Sequence, residues 1–302
     1  MRRPGEVLLR TIAFMNQKGG VGKTTCAVNL GAALAALRKR VLLVDMDAQA
    51  NLSLHLGMDV HLLERSSYTV LAGRCTISEA VIRDLRPGLS VLPANIDLAG
   101  AEVELVNAVG RETVLRAALA RYLAEEPYDF VLLDCPPSLG LLSLNALTAA
   151  REVLIPVQTE FFALQGMSRL LDVIELIRVR LGHPVEIAGI VPTLHDTRTN
   201  LGREVIAEVQ RHFGPLVFRS VIRKSVKLAE CPSHGQTILE YAPSSRGAED
   251  FRRFAREVLR REALRGEVLR NDGPAVPAER SRQEESQPGE GIRQASEPTP
   301  LH

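Results

Sequence analysis

The sequence predicts an α/β fold: a mainly parallel, twisted sheet with helices on both faces. Three observations carry that expectation. Residues 10–265 alternate short apolar runs with amphipathic helical stretches, the pattern of strands buried on both sides and joined by covering helices. Three of those runs end in polar residues: Thr11–Met15 before Asn16-Gln17-Lys18, Val41–Val44 before Asp45-Met46-Asp47, and Phe130–Leu133 before Asp134. Open parallel sheets bind ligands beyond the carboxyl ends of their strands, so the three segments are expected to meet in one crevice. Finally, 302 residues at 45% hydrophobic content suffice for a substantial core, and α/β folds often run to about 250 residues as one unit. With no tryptophan and few aromatics, that core is aliphatic.

The first strand leads into Gly19-Gly20-Val21-Gly22-Lys23-Thr24-Thr25, a loop of the phosphate-binding kind that ordinarily reads G-x-x-x-x-G-K-[ST]. Its glycines let backbone N–H groups fold around phosphates. From Thr24 onward Ala27, Leu30, Gly31, Leu34 and Leu37 recur at helical spacing. Strand, glycine loop and helix in that order put a bound phosphate at a helix N-terminus. The fold expected is therefore of the P-loop NTPase type. Lys23 reaches the β- and γ-phosphates, the Thr24 hydroxyl ligates Mg²⁺, and Thr25 donates to a phosphate nearer the nucleoside. Lys18 is surplus to that chemistry. It adds charge where one loop already has donors enough, and a second role is the economical explanation.

The second and third strands bring acids. Asp134 has the form of a Walker B site, holding a water of the Mg²⁺ shell. Of Asp45 and Asp47 only one need face the γ-phosphate, and a strand-end acid is often a cap or turn former. Thr24, Asp134 through water, and Asp47 are the expected metal-side residues.

Other chemistries are excluded. Cys26, Cys75, Cys135 and Cys231 show no C-x-x-C spacing and read as buried thiols. The seven histidines form no ligand cluster, and no G-x-S-x-G elbow is present. No apolar run reaches the roughly 18 residues of a membrane span, and the first residues do not read as a signal peptide. Residues 1–9 are expected to be a short extension. Residues 266–302 are expected to be a disordered polar tail, for five prolines mix there with Ser, Gln, Glu and Arg and no aromatic residue. Net charge is only +1, yet Arg198, Arg203, Arg211, Arg219, Arg223, Lys224 and Lys227 gather in the last third, followed by Arg246, Arg252 and Arg253. Such a cluster is either a solvated face or a source of sequence-independent phosphate contacts.

Lys18-Gly19-Gly20-Val21-Gly22-Lys23-Thr24-Thr25 resembles the deviant Walker A motif of the ParA/MinD family, nearest its chromosomal ParA (Soj) branch. Val44-Asp45-Met46-Asp47-Ala48-Gln49 and Asp134-Cys135-Pro136-Pro137-Ser138 resemble its next two motifs. The likeness continues in the family's order through Pro93-Ala94, Leu98–Glu102, Asn145–Ala149, Asp196–Asn200 and Cys231–Gly235. The resemblance implies a Mg²⁺-dependent ATPase that dimerises around two ATP molecules, with Lys18 crossing to the partner's phosphates and Asp47 orienting the attacking water. It implies non-specific double-stranded DNA binding by Arg198 and Lys227, with Arg223 and Lys224 beside them. It also implies a ParB-like centromere-binding partner and a cytoplasmic, nucleoid-associated protein.

The chain departs from the family in three places. Ile222-Arg223-Lys224-Ser225 stands where relatives often have Ile-Pro-Arg-Asn, so Arg223 and Ser225 fall at the adenine-contacting positions. Ala48 and Ala50 replace the Pro and Gly of Asp-Pro-Gln-Gly. No helix-turn-helix precedes the loop, so sequence-specific operator binding is not expected. The rival within the family is a MinD-like membrane-cycling ATPase using Phe251, Phe254, Ala255, Val258 and Leu259 as an apolar stripe among arginines. Packing of that stripe on the sheet is the expectation, as it is for Leu170, Leu171, Ile174 and Ile177. A rival outside the family is a P-loop kinase or metallochaperone ATPase acting on a small molecule.

Overall fold

The computed structural model describes residues 9–160 and 165–271. Among these, β1 (Arg10–Phe14), β2 (Val41–Asp45), β3 (Ile82–Arg86), β4 (Leu89–Leu92), β5 (Phe130–Asp134), β6 (Glu152–Gln158) and β7 (Glu186–Thr193) form one sheet. Its strand order is β3-β4-β2-β5-β1-β6-β7. Every neighbouring pair is parallel except β3 with β4. That exception follows from Pro87-Gly88, a tight turn with Gly88 at φ 76°, which leaves no room for a crossover. β3 is the edge, and Arg83 and Asp84 on it are exposed, which discourages pairing with a further strand.

Successive strand residues point to opposite faces, and both faces are covered. Ile12, Phe14, Val41, Leu43, Phe130 and Leu132 join one apolar cluster; Ala13, Met15, Leu42, Val44, Val131 and Leu133 join the other. The helix after the loop (Lys23–Ala36) and the last helix (Arg246–Asn271) lie on the first side. Gly31 brings the former close, since a Cβ there would stand 2.8 Å from Leu43 Cδ2.

The last helix packs as expected: Phe251, Phe254 and Ala255 are fully buried and Val258 is 1% exposed. Phe254 meets Phe218 edge-on at 5.0 Å. Arg10 forks onto Glu152 with two bonds of 2.7 Å and donates to the Val258 carbonyl at 3.1 Å, pinning the helix to β1 and β6. Leu170, Ile174 and Ile177 are likewise buried. A compact unit ends at Arg261, while the helix itself continues to Asn271. The rest of the polar tail, and residues 1–8, lie outside the described residues. Cys26, Cys135 and Cys231 are buried free thiols; Cys75 is only half-buried.

One buried polar pair makes stability pH-dependent. His55 Nε2 sits 3.5 Å from Cys231 Sγ, and burial pushes the imidazole pKa down from 6.5 to about 4. The folded state therefore favours neutral His55. Its contribution is fully present above pH 6.5 and is lost as pH falls toward 4, a swing of about 3 kcal/mol. Denaturant unfolding at pH 7.5 and pH 4 measures it. In His55→Gln the swing is expected to shrink by that amount; an unchanged pH profile would refute the assignment.

Candidate functional site

Phe14 and Asp45 both pair with Asp134 across the sheet, so β1, β2 and β5 end level with one another. The glycine loop begins there and is braced from outside. Asn16 donates from Nδ2 to the Pro156 carbonyl at 2.8 Å, and its Oδ1 accepts the Lys18 N–H at 3.0 Å. Thr193, at the end of β7, donates to the Val21 carbonyl at 2.8 Å. Gly20 and Gly22 stand at φ 73° and 88°, where a side chain is disfavoured. A Cβ on Gly19, Gly20 or Gly22 would meet nothing within 4 Å, so the loop fronts open space with room for a ligand.

Lys23 is only 7% exposed and donates to the Asn16 carbonyl at 3.1 Å. Burial lowers its pKa, while Asp134 and Asp47 pull it back up. Asp134 is 1% exposed, and both of its carboxylate oxygens lack a hydrogen-bond partner. Burial pushes its pKa well up and Asp45 adds to the push; the neighbouring Thr24 hydroxyl and the Lys23 ammonium oppose it. The Thr24 hydroxyl stands beside the carboxylate without completing a hydrogen bond to it. Orphaned buried oxygens are rare and mark sites. A hydrated Mg²⁺ beside Thr24 fits them. Among the described residues no group of three His, Cys, Asp or Glu is arranged to hold a metal alone. Such an ion would draw its remaining ligands from water and phosphate.

The two acids after β2 separate cleanly. Asp45 is fully buried and accepts three bonds, from Ser53 N at 3.0 Å, Ser53 Oγ at 2.7 Å and Asp47 N at 3.2 Å. Burial raises its pKa to about 7 against those bonds. Ser53 Oγ in turn accepts the Ala94 N–H at 3.0 Å. Asp45 thus ties the short helix Asn51–His55 and the loop after β4 to β2, a structural role. Asp47 is half-buried, accepts only the Gln49 N–H at 3.0 Å, and acts on both Lys23 and Asp134. Ala50, where relatives have glycine, adopts φ 51°, a conformation costing an L residue roughly 1 kcal/mol.

Lys18 behaves unlike Lys23. Its side chain is 45% exposed and turns away to Glu160 at 2.8 Å. Thr25 is held from behind, its carbonyl accepting Asn29 Nδ2 at 2.9 Å, while Asn29 Oδ1 accepts the Ile238 N–H at 2.7 Å.

The basic residues divide as well. Arg198 is 85% exposed and forked onto Asp196. Lys227 is 54% exposed, 2.9 Å from Glu230 and over the Tyr241 ring. The Lys224 side chain is exposed, and its backbone N–H bonds the His195 carbonyl. Arg223 is different: its guanidinium and its backbone N–H are all taken up by the buried Asp250. Ser225 stands at the N-cap of the helix Val226–Glu230 without a side-chain cap bond. Ser53, Thr193, Glu160 and Asp250 escaped sequence reasoning, since each acts through a partner far away in the chain. Asn29 carried a faint signal, a polar residue inside an apolar helical stretch.

Comparison with known proteins agrees with this site. Residues 9–187 match a family model described as an AAA domain. The chain is 47% identical to the sporulation initiation inhibitor protein Soj of Bacillus subtilis over 82% of its length and 98% of that protein. It is 45% identical to the chromosome partitioning protein ParA of Caulobacter vibrioides over 84% of its length and 95% of that protein. Among solved structures, cobyrinic acid a,c-diamide synthase from Mycobacterium smegmatis with bound ADP and magnesium is 39% identical, with a TM-score of 0.73, covering 84% of this chain and 95% of that one. A glycine loop with two lysines of opposite disposition, set over an orphaned strand-end carboxylate, is thus what this chain shares with its relatives: it belongs to the ParA/MinD family of P-loop ATPases, alongside the Soj and ParA chromosome-partitioning proteins.

Proposed function

We propose that the chain is an ATP-dependent DNA-partition ATPase. It closes into a dimer around two ATP molecules, binds duplex DNA without sequence preference in that state, and hydrolyses ATP when a ParB-like partner stimulates it. The observation that carries this reading is the sorting of two lysines on one loop. Lys23 is buried and turned inward; Lys18 is half-exposed and turned to the rim. A lysine at the rim is available to a second subunit's phosphates. Mg²⁺, held by Thr24 and through water by Asp134, would supply charge neutralisation at the β- and γ-phosphates. The loop N–H groups and Lys23 bind the phosphate chain, and Asp47 orients the attacking water. Arg198, Lys224 and Lys227 present exposed charge for DNA phosphates. In this reading the protein works in the cytoplasm, on the nucleoid.

The membrane-cycling alternative loses its main support, because the apolar stripe of the last helix is buried. Among the described residues no helix is long and apolar enough to cross a membrane. Retention of the full chain on a duplex-DNA column, with and without ATP, tests the proposal. Retention that requires ATP and fades with salt is expected. Retention on acidic liposomes instead would favour the membrane reading, and a small-molecule ATPase would bind neither.

The Lys18–Glu160 pair gives a finer test. Lys18→Ala should still bind ATP as a monomer but fail to dimerise, and size-exclusion chromatography with ATP reads the difference. Glu160→Gln should ease dimerisation, because Lys18 must leave that carboxylate to cross the interface. The pair is exposed, so its hold is worth only about 0–1 kcal/mol and the gain is at most about fivefold. A normal dimer from Lys18→Ala would refute the cross-interface role.

A further inference from the structure

Away from the glycine loop, a cleft of about 880 Å³ lies between the segment 219–223 and the last helix. Five arginines line it: Arg219, Arg223, Arg253, Arg256 and Arg260. Its two acids are already committed. Asp250 is clamped by Arg223, and Glu257 accepts the Arg219 and Ser220 N–H groups, the Ser220 hydroxyl and an Arg261 N–H. Arg253 pairs with Glu249. Arg219, Arg256 and Arg260 are exposed and have no side-chain hydrogen bond or ion pair among the described residues. Three guanidiniums without carboxylate partners along one cleft form a surface for anions.

We propose that this cleft is a second phosphate-binding track for duplex DNA, continuing the Arg198 contact along the last helix. The proposal rests on the DNA reading above and adds a surface to it. Three features select a duplex backbone. The cleft is continuous with the Arg198 loop, because Thr197 and His195 line it too and His195 is bonded to the strand-like segment that carries Arg223. Its arginines are strung out: Arg256 and Arg260 are separated by about 6 Å of helix rise, close to two phosphate steps on one strand at roughly 3.4 Å each. And no Phe, Tyr or Trp lines it, so it offers none of the stacking platforms on which single strands and free bases are held. Arginine forks on phosphates in such a track position DNA without reading its sequence.

The test compares two variants of the full chain, both saturated with ATP, on mixed-sequence duplex DNA across a salt series. Arg219→Ala/Arg256→Ala/Arg260→Ala should weaken binding at least about tenfold at moderate salt. It should also flatten the log–log salt slope by about 3–5 per dimer, at about 0.9 per lost contact. Its thermal midpoint should match wild type, since the three side chains support nothing else. Lysine at the same three positions should restore most of the slope. If the triple variant keeps wild-type affinity and slope while Arg198→Ala/Lys227→Ala loses both, the cleft is off the DNA path and the DNA reading survives without it. If wild type itself ignores DNA at every salt concentration, both fall. If the triple variant loses tripolyphosphate binding with its DNA slope intact, the cleft is a small-anion site and the track is wrong.

Discussion

Lys23→Ala is expected to lose ATP binding by at least 10²-fold, and with it dimerisation and DNA association, while the fold survives. The magnitude follows from burial. Removing one partner of a desolvated, hydrogen-bonded charge pair costs about 2–5 kcal/mol, and Lys23 is 7% exposed at the mouth of the loop. The fold is expected to survive because burial already disfavours the ammonium before any phosphate arrives, as its lowered pKa records. Its one bond in the free protein goes to the Asn16 carbonyl, worth about 1 kcal/mol. Nucleotide titration by calorimetry, with far-ultraviolet circular dichroism as the folding control, separates the two effects. Near-normal affinity in the variant would show that the loop is not the phosphate site.

Much of the site was legible in the sequence because its chemistry sits at the ends of strands. Apolar runs ending in Asn16, Asp45 and Asp134 located the crevice, and the two-fold alternation that buries Ile12 and Ala13 on opposite faces is written in the runs themselves. The β3–β4 hairpin was not legible as a departure from parallel pairing; it depends on the tight Pro87-Gly88 turn, a local signal among many. Nor could the sequence rank Asp45 against Asp47, which lie two residues apart at the end of the same strand. Ser53 decides it, and Ser53 reaches Asp45 only because Ala50 takes a left-handed turn that starts the short helix. Arg223 shows the same limit on the basic face. Its charge counts in any cluster read from sequence, but Asp250, 27 positions on, holds it in the fold.

Asp47→Ala is expected to leave ATP binding and dimerisation intact while hydrolysis falls by about 10²–10⁴-fold, the usual worth of a group positioned to act on the reacting water. The side chain has little structural work to lose, only the Gln49 N–H across a two-residue turn. The variant should accumulate as an ATP-bound dimer and stay on DNA longer than wild type, so column retention rises as phosphate release falls. Asp45→Ala should behave in the opposite way. It would strand the Ser53 hydroxyl and two backbone N–H groups in a buried setting, at about 1–3 kcal/mol for each unsatisfied group. Its signature is a lower unfolding midpoint and a loosened loop after β2, with hydrolysis lost through instability. Measuring phosphate release and thermal unfolding on both variants tests the division of labour. If Asp47→Ala turns over at the wild-type rate while a still-folded Asp45→Ala does not, the roles assigned to the two carboxylates are reversed.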